Sequence, residues 1–247
     1  MPSTTLNGHK HHWEEFGQGD PLIMFHGAAG SSVTLLPYAK ELAATHRVIV
    51  PDLRGMGQSA HVDQITPPSG WTDDAVALLD HLGIAKAHVF GVSLGARIAL
   101  RVAIDHPQRV RTLIMELPII AIDAAGSASL NARIGSFDDL PLADQQAREA
   151  QHGPEWRTVL ANYMAIRNRQ DLQDHLDLRA PSKKVAAPTL IIRGDEREVV
   201  HPMSHSMQLY DNIAGSWLWV RSNTNGSVMR AAPQETYAQM RAIMAKG

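Results

Sequence analysis

Apolar residues along this chain gather in short, nearly unbroken runs: PLIMFHG over 21–27, RVIVPDLRG over 47–55, AHVFGVS over 87–93, RTLIMEL over 111–117, PTLIIRGD over 188–195 and SWLWVRS over 216–222. A run that is apolar at both parities predicts a strand covered on both faces, as in the middle of a parallel sheet. Between the runs the period changes. WTDDAVALLDHLG puts Ala75, Leu78, Leu79 and Leu82 on one helical face, with Gly83 as the stop. LGARIALRVAIDHP predicts a helix from about Leu94 that cannot pass Pro107, and PQETYAQMRAIMAKG a final helix from about Pro233. Strands alternating with helices predict an α/β fold built on a doubly wound, mostly parallel sheet.

The alternation lapses between Pro118 and Val185, where no convincing strand is found. PLADQQAREAQHGPEWRTVLANYMAIRNRQDLQDHLDLRAP reads as two or three helices broken near Gly153-Pro154. An insertion there can cover the carboxyl ends of the strands as a lid. The expected organisation is therefore a core from 1–117 and 186–247 with a helical cap from 118–185. Near the start, GHKHHW carries His9, His11 and His12. An exposed polar strand at the sheet edge is favoured over a metal site there. Trp217 and Trp219 share a strand face and read as core.

Composition narrows the classes of function. The chain has 247 residues, 44% hydrophobic and 19% charged, with a formal net charge of -2. That is enough for one large α/β core, and no basic stripe points to nucleic acid. The absence of cysteine excludes disulfides, thiolate metal sites and a cysteine nucleophile. No apolar run approaches the roughly 18 residues of a membrane span, and no secretory h-region opens the sequence. The expectation is a cytoplasmic protein with a small-molecule substrate, no nucleic-acid or membrane partner, no metal and no cofactor.

Candidate chemistry begins at Gly91-Val92-Ser93-Leu94-Gly95, a G-x-S-x-G stretch between an expected strand and an expected helix. The spacing suits a serine on a strained strand-to-helix turn, with glycines two residues either side letting the backbone turn tightly. The helix dipole and the backbone N–H of Leu94 would then face a developing oxyanion. FHGAAG over 25–30 and DLRGMGQS over 52–59 follow the two preceding strands. With these motifs the chain resembles the α/β-hydrolase superfamily along its whole length.

The resemblance implies an α/β-hydrolase fold, a cap at the 118–185 insertion, and a second oxyanion N–H from Ala28. It implies that His26 braces the oxyanion loop, while Asp52 and Arg54 read as a loop-bracing pair and not as catalytic groups. His26, Trp156 and Tyr163 are the candidates for the substrate pocket, and Met164 accompanies them in the cap. Its motifs are specific for fold and poor guides to substrate.

The resemblance also says where acid and base should stand. The usual acid position falls on Arg197, which cannot accept an imidazole proton; Asp195, Glu196 and Glu198 lie off register. Glu116, in MELP at the end of its strand, matches the minority position seen in zearalenone-type lactone hydrolases and is favoured as the acid. The usual base position falls on Gly226, and no histidine follows His205. A serine hydroxyl without a neighbouring base is a poor nucleophile. Three readings remain open. One is a hydrolase of esters or lactones of small apolar carbonyl compounds whose histidine has been lost. The second is a hydrolase with another base, from His201, His205, His152 or His175. The third is chemistry needing no base on Ser93: a lyase, isomerase or cyclase, or a silent ligand-binding protein.

Overall fold

The computed structural model describes every residue except Met1, Gly135, Ser136, Asp138, Asp139 and Arg197. Its centre is an eight-stranded sheet in the order β1-β2-β4-β3-β5-β6-β7-β8. The strands are β1 (Ser3–Leu6), β2 (His9–Phe16), β3 (Asp20–Phe25), β4 (His46–Pro51), β5 (Ala87–Val92), β6 (Val110–Glu116), β7 (Thr189–Gly194) and β8 (Trp217–Arg221). β2 runs antiparallel to β1 and β4, and the others pair in parallel.

The two-sided apolar runs are explained by two separate cores. Odd-numbered positions of the central strands, Ile23, Phe25, Ile49, Val89, Leu113 and Ile191, pack with α2 (Gly70–His81) and α3 (Leu94–Asp105). Even-numbered positions, Leu22, Val48, Phe90, Ile114, Leu190 and Ile192, pack on the other face with α1 (Leu36–Leu42) and α10 (Pro233–Met244). Each of these central strands buries both rows of its side chains, which a sheet covered by helices on both faces requires.

Between β6 and β7 lie α4 (Ala124–Ile134), α5 (Leu142–His152), α6 (Trp156–Arg167) and α7 (Gln170–His175). The break between α5 and α6 falls at Gly153, whose φ is +79°. α8 (Met203–Asn212) follows β7, and the short α9 (Val228–Ala231) precedes α10. Neither α1, α4 nor α8 stands out in the sequence, because their apolar positions are few and interrupted. Among the described residues no helix is long and apolar enough to cross a membrane.

Three local expectations are corrected. HKHHW, residues 9–13, lies in β2, and β1 occupies the edge beside it. His11 and His12 are buried, and His12 Nδ1 lies 2.8 Å from Asp52. Asp52 and Arg54 do not pair with each other: Asp52 accepts the backbone N–H groups of Ser32 and Gln58, while Arg54 forks onto Asp74. Trp217 and Trp219 are half-buried, because β8 ends the sheet.

Candidate active site

Ser93 sits between β5 and α3 with φ 56° and ψ -112°, a conformation that L-residues avoid. The two flanking glycines make this turn possible. A Cβ on Gly91 would lie 2.1 Å from the Gly95 carbonyl oxygen, and one on Gly95 would lie 2.1 Å from the Phe25 carbonyl oxygen. The helix therefore packs directly on β3 and β5. The Ser93 N–H donates to the Glu116 carbonyl at 3.0 Å, tying the turn to the end of β6. Leu94 opens α3, so its N–H is among the first-turn donors that lack an intrahelical acceptor. Ala28 and Leu94 line the same cavity as Ser93.

The base absent from the β8–α10 loop has a counterpart on the β7–α8 loop. His201 Nε2 lies 2.9 Å from Ser93 Oγ, and His201 Nδ1 lies 2.6 Å from Glu198 Oε2. Hydrogen bonding to His201 is the largest influence holding the Glu198 carboxyl below its usual range, against the opposing effect of burial. An ionised carboxylate only accepts, so the proton stands on Nδ1 and Nε2 is left to accept from the serine hydroxyl. Arg133 donates to the other Glu198 oxygen at 2.9 Å. An imidazole so held can take the serine proton as Oγ attacks a carbonyl carbon.

His201 is aimed by a buried arginine that the sequence analysis passed over. Arg193, on β7, is 2% exposed and donates to the backbone carbonyls of Gly194, Glu196 and His201. It closes the loop that carries both Glu198 and His201. An arginine inside an otherwise apolar central strand was the signal available in sequence. The Arg197 position lies outside the described residues.

The other candidate bases have other surroundings. His152 Nδ1 accepts from the Gly57 N–H, and its Nε2–H points to the Ala29 carbonyl at 3.2 Å. Burial lowers the His152 and His205 pKa values to about 4, and lowers that of His175.

Glu116, the acid favoured from sequence, is not the partner of the serine-bound imidazole. It is fully buried at the end of β6, and its Oε1 accepts from Ser227 Oγ at 2.9 Å and from the Met229 N–H at 2.7 Å. Burial pushes its pKa up. It holds the loop in which Gly226 stands where a histidine was expected. Gly226 has φ +71°, with open space where a Cβ would go.

Ser93 lines a cavity at the carboxyl ends of the strands. Its apolar wall includes Trp71, Ile119, Ile122, Leu130, Leu172 and Leu176, and Tyr163, Arg97 and Arg167 also line it. Of the three expected pocket residues, only Tyr163 is among the lining. Trp156 is buried in α6 within the packed core. His26 is fully buried; its Nδ1–H donates to the Gly27 carbonyl, and its Nε2 accepts from the Leu53 N–H. It thus links the loops after β3 and β4.

The chain belongs to the alpha/beta hydrolase fold family, whose profile matches residues 20–233. It is 31% identical over 229 residues to a 2-hydroxymuconate semialdehyde hydrolase of Pseudomonas sp. (strain CF600), covering 83% of this chain and 79% of that protein. A protein of the same description from Pseudomonas putida is 34% identical, covering 86% of this chain and 83% of that one. The enol-lactonase from Burkholderia xenovorans LB400 superposes with a TM-score of 0.76 at 19% identity, covering 100% of each chain. At that identity the likeness is one of fold.

Proposed function

We propose that this protein is a serine hydrolase that opens an ester or lactone of a small carbonyl compound, using a base and acid carried on the β7–α8 loop. The observation that carries the reading is the 2.9 Å contact between His201 Nε2 and Ser93 Oγ, backed by Glu198 on Nδ1. Ser93 Oγ attacks the carbonyl carbon as its proton passes to His201. The backbone N–H groups of Ala28 and Leu94 take the oxyanion. His201 returns the proton to the departing alkoxide, and then draws a proton from water as water cleaves the acyl-enzyme. Glu198 holds the imidazole in its Nδ1–H form and stabilises it when charged. The insertion between β6 and β7 acts as a cap over the cavity.

The hydrolase names of the two relatives above 30% identity support the reading, since both are semialdehyde hydrolases. The contact at His201 also favours it over chemistry that leaves Ser93 as a mere donor. The test is intact-mass labelling with a fluorophosphonate. A single adduct, lost in Ser93→Ala and in His201→Ala, is expected. An unlabelled wild-type protein, or labelling undiminished in His201→Ala, would overturn the assignment.

A further inference from the structure

Two buried arginines share the cavity above Ser93, and among the described residues no acid pairs with either. Arg97 stands one turn beyond Ser93 on α3 and is 2% exposed; Arg167 ends α6 and is 4% exposed. All their hydrogen-bond partners are neutral. Arg97 donates to the Leu176 carbonyl at 2.6 Å and to Gln173 Oε1. Arg167 donates to the side chains of Asn131, Asn168 and Ser127. Each keeps a buried Nε–H with no acceptor. Among the described residues neither forms an ion pair with a carboxylate. Asp177, whose charge acts on Arg97, is itself forked by Arg179.

Such an arrangement is costly in an empty cavity. Buried charge without a counter-charge is strongly unfavourable, and two cations facing the same space repel. Burial, with a smaller contribution from Arg167, lowers the Arg97 pKa to about 10 against the opposing influence of Tyr163 and Asp177. One anion placed between them would relieve both. A planar carboxylate matches the guanidinium fork better than any neutral group of the same size.

Resting on the hydrolase reading above, we infer that Arg97 and Arg167 form a carboxylate subsite, and that the substrate is an anionic carbonyl compound bearing a carboxylate a few carbons from the bond that is cleaved. The spacing follows from the helix. Residues at i and i+4 are neighbours on one face, so an anion at Arg97 lies within a short chain's reach of Ser93 Oγ. The apolar wall then receives the carbon skeleton between the two ends. This replaces the expectation of a wholly apolar substrate.

The test is binding to the Ser93→Ala protein, where no turnover occurs. Calorimetry with monomethyl glutarate, which carries one ester and one carboxylate, is compared with the neutral dimethyl glutarate. The monoester is expected to bind about tenfold tighter or more, the worth of a hydrogen bond to a charged group. Adding Arg167→Gln should remove most of that preference, and Arg167→Lys should restore part of it. Arg97→Gln should act in the same way; because Arg97 also holds the end of α7, Arg167→Gln decides the matter if Arg97→Gln does not fold. Equal binding of the two esters, or a preference that survives Arg167→Gln, would overturn the subsite. Failure of the hydrolase reading is seen separately: the wild-type protein would resist fluorophosphonate while the Ser93→Ala protein still preferred the monoester.

Discussion

Ser227 donates its hydroxyl to Glu116 at 2.9 Å, so the buried carboxyl at the end of β6 clasps the β8–α10 loop and not a histidine. Burial raises the Glu116 pKa. The sign of the consequence is fixed. Above the ordinary glutamate value of about 4.3 the unfolded chain releases this proton while the folded chain still holds it, so stability is lost as pH rises. Glu116→Gln keeps an oxygen to accept from Ser227 and Met229 and carries no such penalty. Its stability relative to wild type should therefore increase between about pH 5 and about pH 8, read as urea midpoints at the two values. A difference independent of pH would show that Glu116 is already ionised in the folded protein.

The two glutamates are separated by their effect on Ser93. Glu198→Gln should slow fluorophosphonate labelling by roughly a hundredfold or more, because the imidazole loses the partner that fixes its tautomer. His201→Ala should slow it by roughly a thousandfold or more. Glu116→Gln should leave the rate nearly unchanged. The reverse ranking of the two glutamate variants would restore Glu116 as the acid.

Strain at the serine turn is expected to be measurable. With φ 56° and ψ -112°, position 93 suits glycine better than any side chain. Ser93→Gly should be more stable than Ser93→Ala by about 1 kcal/mol, since both lose the hydroxyl and only one keeps the Cβ. Urea unfolding of the two variants side by side checks this, and equal midpoints would mean the turn is relaxed.

The insertion reaches the oxyanion loop through α5. Arg148 Nη1 donates to the Ala29 carbonyl at 2.7 Å, where His152 also donates, and Ala29 has φ +54°. Both donors hold the Ala29–Gly30 peptide, one residue beyond Ala28. Arg148→Ala should slow labelling of Ser93 by about three- to tenfold, the worth of one hydrogen bond. The thermal midpoint should move little, because the side chain is half-buried. An unchanged labelling rate would remove Arg148 from the positioning of this loop.

Much was legible in sequence because it depends on local pattern. The apolar runs marked the six parallel strands from β3 to β8, with both faces covered in all but the edge strand β8, and the glycines around Ser93 marked the turn because no other residue fits there. Helices such as α8, with few apolar positions, and the buried β2 histidines left no such trace.

The candidate site was only partly visible. Ser93 and the proposed oxyanion positions Ala28 and Leu94 lie in local motifs beside two glycine turns. The pairing of Ser93 with His201 spans 108 positions. It depends on Arg193 closing the β7–α8 loop, on the path of that loop over the sheet end, and on Glu116 being taken up by Ser227 and Met229. The meeting of Arg97 with Arg167 likewise depends on how α6 folds back over α3. Sequence by itself determined the fold and the position of the serine, because periodicity and turn chemistry are properties of neighbouring residues. Which histidine reaches the serine, and what charge lines the cavity, were decided by tertiary structure alone, because those contacts join segments that share no local pattern.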